Sequence, residues 1–274
     1  MKVEELQDKA NKIREMIIKM LVNAGSGHSA GALGAADFFT SLYFGDVINY
    51  KADDPWWEDR DRVVLSSGHY CPVLYAVLVE AKFFSKKKLD TLRKIDSDLQ
   101  GHPQIKSLPG IETSSGPLGQ GVSQAIGMAL SAKVDKKDWR VICFMSDGEQ
   151  NEGQVWEAYM AVSKFSLDNL TLVVDRNNIQ IDGYTEKVMP LGLLRSKLSA
   201  FGLEVLEVDG HDIKEIIETL RMVKIVGKPH VIILNTTSGK GVGFMENLPE
   251  WHGKSPSQEE AIVALEEISN KMRK

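Results

Sequence analysis

The 274-residue sequence holds only two cysteines, Cys71 and Cys143. That excludes a disulfide framework, and neither thiol sits at metal-ligand spacing from another. Each lies among apolar residues and reads as a small buried hydrophobe, and so few thiols fit a reducing, cytoplasmic compartment. No apolar run approaches the ~18–20 residues that a membrane helix needs, and the charged, amphipathic stretch Met1 to Leu21 is not a signal peptide. There is no excess of positive charge: 33 Lys+Arg face 38 Asp+Glu, a net of -5. Without a basic stripe for nucleic acid, Trp56, Trp57 and Tyr70 read as packing residues rather than base-stacking platforms. Internal repeats and low-complexity stretches are also missing. What remains has ordinary globular composition, 43% hydrophobic and 26% charged. At this length a core forms without staples, and residues 1–274 are expected to form one domain.

The chain opens with a helical period in which Leu6, Ile13, Ile17 and Leu21 share a face. Gly25, Gly27 and Gly31 break it, and a second helix is expected over Ala35–Phe44. Val63-Val64-Leu65 is a short apolar run that leads into Ser66-Ser67-Gly68-His69. Leu99 to Gly121 is rich in glycine and proline and has little periodicity, so it reads as a long functional loop. Regular alternation follows. Strands are expected at Val141–Met145, Leu170–Val174, Leu203–Val208 and Val231–Leu234. Helices are expected at Val122–Val134, Glu152–Phe165, Leu191–Phe201, after Asp212, and after Ser257. Asp212 with Glu215, and Ser257 with Glu260, have capping-box spacing. Strands alternating with helices imply an α/β fold, a parallel sheet flanked by helices on both faces. The continuous apolar runs suit strands buried on both sides. Ligands in such sheets bind beyond the carboxyl ends of the strands.

The residues after the strands therefore carry the chemistry. Val141–Met145 leads into Ser146-Asp147-Gly148, and Leu170–Val174 leads into Asp175-Arg176-Asn177-Asn178-Ile179. If the two strands are neighbours, Asp147 and Asn177 share one edge. Their side-chain oxygens, with a nearby backbone carbonyl, are hard ligands suited to Mg²⁺ or Ca²⁺, with water and phosphate completing the shell. Gly148 would let a phosphate approach the backbone, and the dipole of the helix starting near Glu152 adds to the pull on an anion. Taken alone, Asp-Gly is as well explained by a turn with a helix cap. The second, Asn-rich strand end favours the site. Gly116-Pro117-Leu118-Gly119-Gln120-Gly121 would let the backbone pass close to a flat ring, with Leu118 as an apolar wall; a plain helix-leading loop is the alternative.

The Asp-Gly followed 30 residues later by Asn-Asn resembles the thiamine diphosphate motif, with Ser146 in place of its first glycine. Further segments are similar, in order, to the N-terminal half of transketolase. They are Gly25-Ser-Gly-His28, Leu65-Ser-Ser-Gly-His69, Gly101-His102-Pro103, Gly116–Gly121, Glu152-Gly153 and Trp251-His252-Gly253. Ser29 and Ser115 depart from the family's Pro and Thr.

The resemblance implies a thiamine diphosphate-binding fold and ketol transfer. It implies Asp147, Asn177 and the carbonyl of Ile179 as ligands of Mg²⁺ (or Ca²⁺ or Mn²⁺). His28, His69, Gly116, Pro117, Leu118, Gly148, Glu152, Asn177, Ile181, Lys240 and His252 would contact the cofactor. His28, His102 and His252 would line the substrate channel as catalytic groups, while His211 and His230 carry no such expectation. Only half of a transketolase is covered. The resemblance therefore implies a C-terminal-half partner that binds the aminopyrimidine, a heterotetramer of two chains of each kind, and sugar phosphate substrates. A specialised transketolase, a deoxyxylulose-phosphate synthase type of enzyme and a non-catalytic binding half are the alternatives; the intact Asp147 and Asn177 speak against the last.

Overall fold

The computed structural model describes residues 1–225 and 227–272. Helix α1 (Val3–Ala24) buries Leu6, Ile13, Ile17 and Leu21, as the spacing predicts. It ends at Gly25, whose φ of 66° lets its N–H reach back to the carbonyls of Leu21 and Val22. Two short helices follow, α2 (Ala30–Gly34) and α3 (Ala36–Phe44), then strand β1 (Arg62–Leu65) and helix α4 (Cys71–Glu80). After the long loop come α5 (Gln120–Val134), β2 (Val141–Ser146), α6 (Gly153–Lys164) and β3 (Leu170–Arg176). A small hairpin, β4 (Ile179–Gln180) and β5 (Gly183–Tyr184), precedes α7 (Thr185–Val188) and α8 (Leu194–Ala200). The remaining elements are β6 (Glu204–Asp209), α9 (Ile213–Met222), β7 (His230–Asn235) and α10 (Gln258–Met272).

Five strands form one parallel sheet in the order β1-β2-β3-β7-β6. Successive side chains along a strand point to opposite faces, so the apolar runs split between two cores. Ile142, Phe144, Val173, Ile232 and Leu234 join the core built with α1, α3, α4, α9 and α10. Val141, Cys143, Met145, Leu172, Val174, Val231 and Ile233 join the other, built with α5, α6 and α8. Phe38, Phe39 and Phe144 meet with ring centroids 5.0–5.4 Å apart. Each such fully buried side chain contributes about 1.5–3 kcal/mol. Both thiols are buried and unpaired.

Two expectations shift. The helix expected from Leu191 starts at Leu194, because Gly192 sits at φ 56° and interrupts it. The hairpin at Ile179–Tyr184 is too short to read as strand; Gln180 pairs with Gly183, which leaves Ile181-Asp182 as its two-residue turn. One capping pair forms in full and the other only in half. Ser257 and Glu260 bond reciprocally. Asp212 accepts from the Glu215 N–H, but the Glu215 carboxylate takes the N–H of Asp209 instead.

Helix α5 meets β1 so closely that a Cβ at Gly121 would lie 2.6 Å from Ser66 Cα, whereas one at Gly127 would meet nothing within 4 Å. Gly121→Ala should therefore cost about 1–3 kcal/mol through overpacking. Gly127→Ala should gain about 0.5–1 kcal/mol of helix propensity. Urea midpoints of the two variants check this, and equal midpoints would contradict the close approach.

Candidate active site

All five strands end on the same edge of the sheet, and the segments beyond them enclose a cleft of about 310 Å³. It is lined by His28, His69, His102, Gly116, Leu118, Ser146, Gly148, Ile179, Gln180, Ile181 and His252. Glycine is needed where these segments touch. A Cβ at Gly68 would lie 2.7 Å from Ser115 Oγ and 2.9 Å from Gly116 N. One at Gly253 would lie 2.8 Å from Ile181 Cδ1.

On the floor, β2 and β3 pair in register Ser146↔Asp175, which sets Asp147 beside the segment after β3. Asp147 is fully buried. Its Oδ2 accepts the N–H of Asn178 at 2.8 Å, Arg176 Nη1 at 2.9 Å and Thr185 Oγ1 at 3.3 Å, while Oδ1 is buried with no partner. Burial and the nearby Asp175 push this carboxyl up to about 6, against the pull of Arg176. Asn177 Nδ2 donates to Tyr70 Oη and to Asp175 Oδ2, both at 2.8 Å. A carboxylate can only accept, so this contact fixes the amide with Oδ1 on the other side. There Oδ1 takes the Ile179 N–H at 2.9 Å. Asn178 adopts φ 63°, a left-handed conformation that Asn tolerates better than most residues.

A second buried carboxylate ties the walls together. Glu149 accepts from Ser66 Oγ, Ser67 Oγ and the N–H of Gly119, the last at 2.6 Å. Its backbone lies in a single 3₁₀ turn, Gly148–Asn151, that separates Asp147 from α6. The dipole next to Asp147 is therefore that of this turn, not of α6.

The roof is a histidine cluster. The rings of His28, His69 and His252 form a triangle with centroids 5.1, 5.2 and 5.6 Å apart. His28 Nδ1 and His69 Nε2 are buried without partners. Burial first, then the neighbouring imidazoles and Arg93, pushes His28 down to about 4. Burial and the other histidines hold His69 well below the ordinary value. Burial lowers His252, and burial with Arg93 lowers His102. All four are neutral at pH 7, each with one donor and one acceptor nitrogen.

The cleft thus brings together His28, His69, His102, Gly116, Leu118, Gly148, Ile179, Ile181 and His252, with Asp147 and Asn177 beneath it. Pro117, Glu152 and Lys240 fall outside its lining. Pro117, in the loop before α5, and Glu152, at the start of α6, are exposed. Lys240 is half-buried in a segment drawn onto α2 by the Gly239 N–H to Ala30 carbonyl bond, 2.8 Å. His211 and His230 serve the scaffold. His211 bonds Asp37 and accepts the Thr237 N–H at 2.7 Å, and His230 bonds Thr171 and the Lys228 carbonyl. Sequence reasoning gave no role to Gln180, Glu149, Asp175 or Arg176. The only signal for the last three was their place at strand ends.

Residues 6–269 match the family model described as transketolase, thiamine diphosphate binding domain. The chain belongs to the transketolase family. It is 42% identical to a subunit of the apulose-4-phosphate transketolase of Phocaeicola vulgatus over 275 aligned residues, covering 100% of this chain and 97% of that one. It is 38% identical to the 6-deoxy-6-sulfo-D-fructose transketolase subunit SqwG of a Clostridium species, covering 96% of each. Against human transketolase the identity is 37%, over 99% of this chain but 43% of the human protein. The solved transketolase of Campylobacter jejuni superposes with a TM-score of 0.93 at 35% identity, again over 98% of this chain and 43% of that one. In extent the chain thus corresponds to the two bacterial subunits, the thiamine diphosphate-binding half of a transketolase-type enzyme.

The histidine geometry has a pH consequence. His28 has a folded value near 4 against an ordinary 6.5. Between these values the unfolded chain binds a proton that the folded chain refuses, so this contribution to stability falls as pH falls through that window. His28→Gln removes the penalty and should gain on wild type between pH 7 and pH 4.5 in paired urea denaturations. A difference that stays constant with pH would contradict the assignment, as would a His28 Hε1 resonance titrating near 6.5.

Proposed function

We propose that this chain is the diphosphate- and metal-binding subunit of a two-chain transketolase that moves a two-carbon ketol unit from a ketose phosphate to an aldose. One observation carries the reading. Of the buried polar atoms without partners among the described residues, His28 Nδ1 and His69 Nε2 belong to residues that line one cleft, and Asp147 Oδ1 lies between the lining residues Ser146 and Gly148 in the chain. Burying polar atoms without partners is costly, so an arrangement of this kind is built for a polar ligand.

The donor set fits a divalent cation and a diphosphate. Asp147 Oδ1, the second lone pair of Asn177 Oδ1 and the Ile179 carbonyl are hard oxygens, and only one carries a formal charge. Mg²⁺ is usually held in this way, by one or two carboxylates with phosphate oxygens and water completing the shell. Gly148 lines the cleft without a side chain, and His69 offers a free ring nitrogen beside it. Thiamine diphosphate, when bound, supplies the nucleophilic carbon and the electron sink for breaking the sugar C–C bond.

The chain's own residues would do the rest. His28, His102 and His252, neutral at working pH, orient the sugar oxygens and pass protons to and from its hydroxyl and carbonyl groups. Leu118 and Ile181 give apolar walls to the rings. Ile181 stands at the hairpin tip, 62% exposed, and Tyr184, Val188, Met189 and Leu193 in the segment that follows are exposed too. Exposed apolar side chains gathered in one segment are expected where another chain docks. A C-terminal-half chain seated there would close the cleft, bind the aminopyrimidine and supply further sugar contacts, giving a heterotetramer of two chains of each kind. Lys240 and Glu152 would act only if that closure or the bound diphosphate brings them in.

Calorimetry of thiamine diphosphate with Mg²⁺ tests the reading. Asp147→Ala should abolish the metal-dependent heat, whereas His28→Ala should keep it and lose turnover in the assembled enzyme. Unchanged affinity in Asp147→Ala would refute the metal site, and robust ketol transfer by the purified single chain would refute the two-chain reading.

A further inference from the structure

Among the strand-end residues, Arg176 has no part in the reading above. It is the last residue of β3, next to Asn177, and 13% of its side chain is exposed. Its guanidinium forks between two carboxylates. Nη1 donates to Asp147 Oδ2 at 2.9 Å, and Nη2 donates to Glu186 Oε1 on α7 at 2.5 Å. Glu186 is itself anchored, accepting the N–H groups of Leu191 and Gly192 at 3.1 and 3.3 Å.

We propose that Arg176 is a positioning residue for the divalent cation, holding the Asp147 carboxylate so that Oδ1 alone faces the ion. The inference rests on the metal-site reading above. The donor asymmetry is its ground: three donors converge on Oδ2 and none on Oδ1. Rotation of the carboxylate about χ2 would break all three bonds, so its free oxygen has one direction. Two of the donors, the Asn178 N–H and the Thr185 hydroxyl, are neutral. Arg176 is the charged one, and charge-assisted bonds are the stronger kind. A bare cation beside the ion's position would repel it. The anchored Glu186 offsets that charge, so the guanidinium keeps its directional bond without adding net charge to the site. Lys could supply the bond to Asp147 but not the planar fork to both partners.

The test uses the full chain with saturating thiamine diphosphate and Mn²⁺ as the probe. The half-saturating Mn²⁺ concentration is read by electron paramagnetic resonance, and a thermal melt without metal is recorded for each variant. Arg176→Met should raise that concentration roughly 10–100-fold, the usual effect of losing an outer partner of a metal ligand. Arg176→Lys, which keeps one charged donor, should recover most of the loss. Arg176→Gln replaces Arg176→Met in the comparison if the latter does not fold. Wild-type Mn²⁺ affinity in Arg176→Met would overturn the proposal. So would a Lys variant as impaired as Met, since Arg176 would then act only as a tie to α7. Asp147→Asn is the control: if it binds Mn²⁺ like wild type, the metal-site reading itself fails, whatever the Arg176 variants show.

Discussion

Glu149 is a fully buried carboxylate, and the shape of the cleft depends on where its two oxygens sit. They collect Ser66 and Ser67 beyond β1 and the Gly119 N–H ahead of α5, while Ser67 Oγ takes the Ser146 N–H at the end of β2. Three segments far apart in sequence are fixed by one group. Burial pushes the Glu149 carboxyl up, and these donors pull against that shift. An isolated carboxylate in the same place would be strongly destabilising. With its donors present it becomes a directional clamp, and the loops it clamps carry Gly68, His69 and Leu118.

The same device recurs across the sheet edge. Asp175, also fully buried, accepts from Tyr70, Asn177 and Thr236, linking the segments after β1, β3 and β7. Asp37 accepts from Arg14 and His211, and His211 in turn accepts the Thr237 N–H, which ties α1 and α3 to the segments after β6 and β7. Burial alone would raise the Asp37 carboxyl, but Arg14 and His211 outweigh it and hold it below the ordinary range. None of these three carboxylates lines the cleft. Their work is to give each loop a single position, which matters because a parallel sheet fixes its strands but not the turns beyond them.

Much of this was legible in the sequence, for physical reasons. Strands buried on both faces read as unbroken apolar runs, so Val141–Met145 and Val231–Leu234 were visible within a residue or two. The cleft histidines were visible because each sits in a glycine-containing segment that resembles a transketolase motif. Glu149 was not visible. In sequence it is one charged residue between a strand and a helix, and only the fold shows that the two serines beyond β1 bond it. Asp175 was hidden in the same way, since what it does depends on Tyr70 and Thr236, which are distant in the chain. The helix expected from Leu191 began late because Gly192 interrupts a period that side-chain pattern alone would continue. Lys240 follows a strand, as ligand residues do, yet it is not among the residues lining the cleft, and the neighbouring Gly239 N–H bonds the Ala30 carbonyl on α2.

The chain therefore divides its work between a closed interior and an open edge. The clamps, the two cores and the strand register are complete without any ligand. The orphaned atoms Asp147 Oδ1, His28 Nδ1 and His69 Nε2 find no partner among the described residues. Preorganisation of this kind costs stability, because these polar atoms stay desolvated whether or not a ligand is present, and it saves reorganisation when the ligand arrives. The exposed apolar side chains of Ile181, Tyr184, Val188, Met189 and Leu193 carry a similar cost at the surface. The first two stand on the hairpin that follows β3 directly, at the edge where the strands end.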